Sequence, residues 1–345
     1  MKKIFATLPM LCAMAVQAQQ VIPFSQLEGV QVGNAQDDEA KTGVTVLYFP
    51  NTAMGAVDIS GGGPASRETP VVDPERADTP LDAIVLAGGS AYGLEAANGV
   101  MDCLEEHGHG YNVGVGVVPI VVQSDIFDLS YGSYSVRPDK AMGRRACLDA
   151  LSGTHPVSGN VGGGTGATVG KICGMRQAQK SGIGYAAFQL GNLQVGAVVV
   201  VNAVGDIFEN SVKIAGVTTP DRRAFLDFRQ LMYGEIGPDG TPVQKTMAEA
   251  DRTNTTIGAI ITNGKFTKAK LRKIASMARN GYARAICPVG TQGDGDTIYA
   301  ASTGSGVEAD VNVVGTLAAQ AMEAAIIDAV KSAQISDEEY LKNCK

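Results

Sequence analysis

Short apolar runs alternate with amphipathic stretches along the chain, and this pattern predicts strands and helices in turn. The runs are rich in β-branched residues and several are apolar at every position, which is typical of strands covered on both faces. The polar stretch 231–251 contains three glycines and two prolines and predicts an exposed loop, directly before an apolar strand. The predicted strands are residues 45–49, 83–87, 194–201 and 256–262.

Four longer segments have helical spacing. In the third, the apolar residues fall on one face and most of the basic residues fall elsewhere, which indicates an amphipathic helix over a sheet. The fourth is apolar over most of its circumference, so we expect it to be deeply buried. Helices that cover apolar strands predict a layered α/β arrangement. The predicted helices are residues 93–106, 140–151, 267–285 and 311–332.

The amino terminus has the pattern of a secretory signal peptide. Two lysines precede an apolar run over residues 4–16, and Ala18 supplies the small residue of a cleavage site. The run is too short to span a bilayer, and no later segment is predicted to be transmembrane. We therefore expect a secreted or periplasmic protein of one domain, residues 19–345.

Charge and cysteine content exclude several classes of function. The net charge is −7 and there is no basic run, so nucleic-acid binding is not indicated. The five cysteines after the leader are widely spaced and lack a C-x-x-C pair, so neither a disulfide framework nor a zinc site is predicted. We expect no metal and no cofactor. These cysteines are Cys103, Cys147, Cys173, Cys287 and Cys344.

The common nucleophile motifs are missing or incomplete. Only His107, His109 and His155 are present, no G-x-S-x-G elbow occurs, and a histidine-dependent hydrolase is disfavoured. The glycine-rich stretch 162–171 lacks the hydroxyl residue that should follow the lysine of a phosphate loop. The stretch 88–93 is compatible with an anion site at a helix start or with a tight turn.

The pair Asn254-Thr255 offers a different chemistry. If the Thr255 hydroxyl attacks the Asn254 carbonyl, the peptide bond becomes an ester, and water then frees the Thr255 α-amine. An α-amine has a pKa of about 7.7–8.0, so a fair fraction is neutral and acts as the base that a histidine would otherwise supply. Asp294 and Asp296, two residues apart, either orient such an ammonium and hydroxyl or cap a turn; their spacing does not match a calcium loop.

The order of motifs resembles the L-aminopeptidase/D-esterase (DmpA-like) family, which includes β-peptidyl aminopeptidases and a nylon-oligomer hydrolase. The resemblance covers roughly residues 24 to 310. The matching runs are GGGP (61–64), SRET (66–69), DAIVLAGGSAYGLEAANGVM (82–101), VPIV (118–121), DIFDL (125–129), VGGGTGATVGK (161–171), VGAVVVVNAVGD (195–206), NTTIGAIIT (254–262) and DGDTIYAASTG (294–304).

The resemblance implies an α+β fold, a four-layer αββα sandwich, in an amino-terminal-nucleophile hydrolase. It also implies a precursor cut once, here between Asn254 and Thr255, into an α chain 19–254 and a β chain 255–345 that stay associated, and a homo-oligomer. Thr255 would be the nucleophile, Asn202 would help to hold the oxyanion, and Lys171 would lie near the nucleophile. Asp294 and Asp296 would orient the hydroxyl and the amine.

One position departs from the family pattern, and the substrate stays open. Phe127 stands where some members have a tyrosine, so that hydroxyl is either dispensable or replaced by Tyr131 or Tyr134. The resemblance favours an exported aminopeptidase or amidase that releases a small amino-terminal residue from short peptides, amides or esters. The alternatives are a hydrolase of ω-amino-acid amides or β-peptides, and a non-catalytic exported protein that binds a small ligand.

Overall fold

The computed structural model describes residues 18–153, 156–241 and 254–345. The predicted leader up to residue 17, His155 and residues 242–251 of the predicted loop lie outside these ranges. The helices in the described ranges are α1 (Ala96–Glu106), α2 (Lys140–Leu151), α3 (Phe228–Tyr233), α4 (Lys268–Ala285), α5 (Val311–Ser332) and α6 (Asp337–Asn343).

The strands are mostly short, apart from five of eight or more residues. In chain order they are β1 (Gln20–Ile22), β2 (Gln31–Asp37), β3 (Thr42–Ile59), β4 (Ala65–Arg67), β5 (Leu81–Ala87), β6 (Tyr111–Asn112), β7 (Val117–Val118), β8 (Val121–Asp125), β9 (Thr168–Val169), β10 (Gln179–Lys180), β11 (Ile183–Leu190), β12 (Leu193–Asn202), β13 (Asp206–Glu209), β14 (Val212–Ala215), β15 (Thr255–Gly264), β16 (Ile286–Cys287) and β17 (Thr297–Val307).

Strand β3 joins two sheets because it is long enough to take part in both. Its first half pairs with β2 and β5, and its second half pairs with β17. The first sheet has the order β1-β11-β12-β15-β17-β3, and the second continues from β3 through β5 and β8 to β4. Strands β15 and β17 are parallel neighbours, whereas β12 and β15 are antiparallel.

The two sheets face each other across an apolar core, and a helix pair covers each outer face. Helices α4 and α5 pack on the first sheet, and α1 and α2 pack on the second. Full burial of one large aliphatic side chain stabilises the fold by about 1.5–3 kcal/mol, so this core is the main source of cohesion between layers. The predicted αββα sandwich is confirmed. Core residues between the sheets include Leu47, Leu86, Val198, Ile257 and Tyr299.

The predicted elements agree with the structure except at some ends. Helices α2 and α5 have the predicted bounds, whereas the first predicted helix begins as a 3₁₀ turn, Ser90–Glu95, before α1. The expectation of a loop from residue 231 was wrong at its start, because α3 extends to Tyr233. Asp227 caps that helix by accepting a hydrogen bond from the Arg229 amide at 2.9 Å.

Helix α5 also corrects the expectation about membrane segments. By length and composition alone, Val311–Ser332 is apolar enough to cross a membrane. In the fold it packs against α4, β11 and β12, and most of its apolar side chains are buried there. Its composition therefore matches that of a core helix, in agreement with the predicted deep burial.

Candidate active site

Three neighbouring strands bring the predicted residues to one end of the first sheet. Asn202, the last residue of β12, lies opposite Thr255, the first residue of β15. Strand β17 runs parallel to β15, and the loop that leads into it carries Asp294 and Asp296. Side chains distant in sequence therefore meet because of the strand register.

The Thr255 hydroxyl lies against the peptide group that precedes it. Thr255 is buried, with 5% of its surface exposed, and its Oγ1 donates to the carbonyl oxygen of Asn254 at 2.5 Å. The same oxygen accepts a hydrogen bond from the Gly295 amide at 2.8 Å. Two donors, one of them the Thr255 hydroxyl itself, thus polarise the Asn254 carbonyl.

The loop before β17 surrounds this peptide group with carboxylates. Asp296 accepts hydrogen bonds from the amides of Thr256 at 2.6 Å and Gly290 at 2.9 Å. Asp294 accepts from the Thr291 amide through Oδ2, while its Oδ1 is buried without a hydrogen-bond partner among the described residues. Burial and the charge of Asp294 raise the pKa of Asp296 to about 7.

A glycine run packs directly on this carboxylate loop. A Cβ at Gly61 would lie 2.3 Å from the Asp294 carbonyl oxygen and from the Asp296 amide nitrogen. The Gly63 amide donates to the same Asp294 carbonyl at 2.9 Å. Such an approach is open only to glycine, which explains part of the GGGP motif.

The Asn202 side chain lies at the centre of a second hydrogen-bond network. Its Oδ1 accepts from Lys171 Nζ at 2.9 Å and from the Thr168 amide at 3.0 Å. Its Nδ2 donates to the Phe127 carbonyl at 2.9 Å. Asn202 is completely buried, so these bonds fix both the position and the orientation of its amide.

Lys171 is the cation of the site. Its Nζ also donates to the Asn202 carbonyl at 2.8 Å. Burial lowers the pKa of Lys171 to about 7, and the charges of Asp294, Asp128 and Asp296 act in the opposite direction. Its ammonium therefore titrates within the physiological range.

All the site residues predicted from the sequence are thus brought together. Thr255 and Asn254 lie between the carboxylate loop on one side and the asparagine–lysine network on the other. The described histidines take no part, since His107 bonds to the Cys103 carbonyl and His109 to the Tyr48 hydroxyl.

Comparison with known proteins identifies the family. The sequence model of peptidase family S58 matches residues 25–339. The chain belongs to peptidase family S58. An uncharacterised aminopeptidase of Mycobacterium leprae is 37% identical over 316 residues, which is 85% of this chain and 81% of that protein. A 6-aminohexanoate-oligomer endohydrolase of Kocuria sp. is 33% identical over 320 residues, 88% of this chain and 84% of the relative.

Solved structures agree on the fold. The L-aminopeptidase D-Ala-esterase/amidase of Ochrobactrum anthropi, described as an Ntn hydrolase variant, superposes with a TM-score of 0.65 at 18% identity over 93% of each chain. A Burkholderia sp. β-aminopeptidase gives a TM-score of 0.61 at 20% identity over 92% of each chain. Family membership makes this protein a peptidase or amidase and disfavours the non-catalytic binding alternative.

In this S58 peptidase, residue 127 contacts the site through its backbone. Phe127 offers its carbonyl oxygen to Asn202, so the side chain that differs from some relatives is not the group that contacts the amide. Tyr131 is buried in the wall of a pocket that also contains Phe127 and Lys171, whereas Tyr134 is 57% exposed. Of the two tyrosines proposed as substitutes, Tyr131 is therefore the one beside the site.

Several groups in the site were not identified from the sequence. The Gly295 amide, the Thr168 amide and the Phe127 carbonyl act through the backbone, which every residue has. The glycine-rich motifs were the available signal, because glycine marks places where main chains approach closely. Among the described residues, no group of three or more His, Cys, Asp or Glu is arranged to hold a metal.

Gly295 provides a direct test of how closely the Thr255 hydroxyl is packed. A Cβ at this position would lie 2.8 Å from Thr255 Oγ1 and 2.8 Å from the Gly63 carbonyl oxygen. We expect Gly295→Ala to displace the hydroxyl and to lower kcat by about 100-fold, since small misplacements in an active site have effects of that order. Gly63→Ala is the matched control, because its Cβ meets nothing within 4 Å. Equal kcat values for both variants would contradict this packing.

Proposed function

We propose that the protein is an amino-terminal-nucleophile aminopeptidase or amidase that cuts its own chain between Asn254 and Thr255. The observation that carries the proposal is the Thr255 hydroxyl at 2.5 Å from the Asn254 carbonyl oxygen, which the Gly295 amide also contacts. A hydroxyl, a polarised carbonyl and an amide donor for the developing oxyanion are the parts that an acyl shift requires.

The cut proceeds in two steps, an acyl shift and the hydrolysis of the resulting ester. The Thr255 oxygen attacks the Asn254 carbonyl carbon, the carbon–nitrogen bond breaks, and the hydroxyl proton passes to the nitrogen. Water then hydrolyses the resulting ester, which leaves a carboxylate on Asn254 and a free α-amine and hydroxyl on Thr255. The buried Oδ1 of Asp294, without a partner among the described residues, is available to accept a hydrogen bond from the new ammonium.

Turnover of a substrate repeats this chemistry on another acyl group. The Thr255 α-amine takes the hydroxyl proton, the oxygen attacks the substrate carbonyl, and the Asn202 amide donates to the oxyanion. The leaving amine receives the proton, and water then releases the acyl group from the threonine ester. Lys171, as an ammonium, favours the neutral form of the nearby α-amine and therefore its action as a base.

The favoured substrates are short peptides, amides or esters with a small free amino-terminal residue. This proposal rests on the aminopeptidase names of relatives and on the close packing of Gly295 against the Thr255 hydroxyl. The 6-aminohexanoate-oligomer relative supports ω-amino-acid amides as the second candidate. Comparing kcat/KM on p-nitroanilides of small L-α-, D-α-, β- and ω-amino acids separates the two.

A denaturing gel of the purified protein tests the central step. We expect two fragments, the smaller of 91 residues (345 − 254) and beginning at Thr255 in mass analysis. Strand β15 lies between β12 and β17, so the fragments should elute as one species in native buffer. A single full-length band in an active preparation would refute the proposal.

We also propose export, based on the amino-terminal pattern of residues 1–18. The same mass analysis tests this point when the protein is isolated from cells that recognise the leader. The larger fragment should then begin at Gln19, and an intact Met1 would contradict export.

A further inference from the structure

Asp128 is a buried carboxylate that the proposed mechanism does not use. It lies in the loop after β8 with 4% of its surface exposed. Its Oδ2 accepts from the Thr42 hydroxyl at 2.6 Å, and its Oδ1 accepts from the Gly89 amide at 2.7 Å. One side chain therefore connects the start of β3 and the turn after β5 to the loop beside the active site.

Asp128 is linked to Asn202 through the peptide unit that precedes it. Phe127 immediately precedes Asp128, and its carbonyl is the acceptor for Asn202 Nδ2 at 2.9 Å. Charge-assisted hydrogen bonds to a carboxylate are stronger than neutral ones, so Asp128 holds its loop firmly. The orientation of the proposed oxyanion donor thus depends on a carboxylate that does not touch it.

Asp128 also faces the cation of the site. Asp128 and Lys171 line the same small pocket, together with Phe127, Thr168 and Tyr131. Burial raises the pKa of Asp128 to about 6, so the carboxylate is largely ionised at neutral pH. Its charge raises the pKa of Lys171 against the effect of burial, alongside the charges of Asp294 and Asp296.

A second lysine, Lys180, is also influenced by the charge of Asp128. Lys180 Nζ donates to the carbonyls of Gly164 and Ala167, at 3.2 and 2.9 Å, and to that of Ser181. Burial and the charge of Lys41 lower the pKa of Lys180 to about 7, and the charge of Asp128 acts in the opposite direction. The charge of Asp128 therefore acts on both Lys171 and Lys180.

We propose that Asp128 is a positioning residue for the hydrolysis, which holds the Phe127 carbonyl against Asn202 and favours the charged form of Lys171 by its own negative charge. The inference rests on the proposed function, because it assumes that Asn202 and charged Lys171 assist Thr255. Asp128 would thus have two effects that can be tested separately: it positions the Phe127 carbonyl, and its charge acts on Lys171.

Asp128→Asn separates the charge from the shape. Without the carboxylate, the pKa of Lys171 falls, so the alkaline limb of the kcat profile should move to lower pH. We expect kcat to fall more at about pH 8.5 than at about pH 6, by a factor of about three or more, with KM little changed. The assay uses the fully cut enzyme and a p-nitroanilide that the parent hydrolyses.

Thr42→Val is the matched control, because it removes one hydrogen bond to Asp128 and keeps the carboxyl group. The Thr42 hydroxyl also lowers the pKa of Asp128, so the two variants are compared on the alkaline side, where the carboxylate of the valine variant is ionised. There the kcat of Thr42→Val should fall by a constant factor, with the alkaline limb of its profile at the parental pH. Identical pH profiles for Asp128→Asn and the parent, or the same profile for both variants, would overturn the proposal.

Asp128→Glu tests the geometry and keeps the proposal falsifiable if the asparagine variant does not fold. The longer side chain retains the charge but moves the loop. We therefore expect kcat to fall, while the alkaline limb of the kcat–pH profile stays at the same pH as in the parent. A glutamate variant as fast as the parent would also overturn the proposal. A parent that is neither cut nor active would instead refute the proposed function, which keeps the two failures distinct.

Discussion

Thr255→Ala should yield a single uncut chain without measurable turnover. The substitution removes the hydroxyl that attacks Asn254 in the proposed mechanism, so no α-amine would be released and both nucleophile and base would be lost together. Removal of a hydroxyl nucleophile from a hydrolase lowers kcat by on the order of a millionfold, which here means activity below detection. A denaturing gel and a p-nitroanilide assay on the same preparation measure both effects.

Thr255→Ser is the control for this variant because it keeps the hydroxyl and removes only the methyl group. We expect it to be cut and to hydrolyse the substrate within about tenfold of the parent, since the lost methyl mainly restricts the side-chain rotamer. If the alanine variant remained an active full-length chain, the nucleophile would have to be another residue.

Asn202→Ala should lower kcat by about 100- to 1000-fold with a smaller change in KM. Loss of one preorganised oxyanion donor has an effect of this size. The substitution also removes one acceptor from Lys171 and leaves the Thr168 amide without its partner in a buried position. Initial rates over a range of substrate concentrations separate kcat from KM.

Asn263→Ala is a suitable control at the far end of the same strand pair. Asn263 is also buried, and it accepts from the Gln194 amide at 2.8 Å. This variant should lose about 1–3 kcal/mol of unfolding free energy while retaining its kcat. If both asparagine variants lost kcat to the same extent, the effect at Asn202 would be one of stability.

The layering of the fold was predictable from the sequence because it follows from hydrophobic pattern. Continuous apolar runs require cover on both faces, and amphipathic segments provide it. The extent of β3 was not predictable, since Pro50-Asn51 interrupts its apolar run and suggests an end. Pairing with β17 beyond that point extends the strand, and that contact is tertiary.

The side chains of the site could be predicted from the sequence, but the groups that surround and contact them could not. The Asn254-Thr255 pair had a chemical interpretation of its own, whereas the roles of Asn202 and Lys171 came only from resemblance. Lys268 is buried although it is charged, and the carbonyls of Val71 and Ala77, distant in sequence, accept hydrogen bonds from its Nζ. Nothing in the local sequence encodes such partners.

The central place of β15 has a consequence for the lifetime of the enzyme. If the chain is cut before β15 as proposed, two polypeptides share one core, and neither contains a complete set of neighbouring strands. Thermal denaturation would then separate the polypeptides, and recovery would require a second-order encounter between incomplete partners instead of the collapse of one chain. The mature enzyme would thus depend on a high barrier to unfolding, and heat inactivation would be effectively permanent at low concentration.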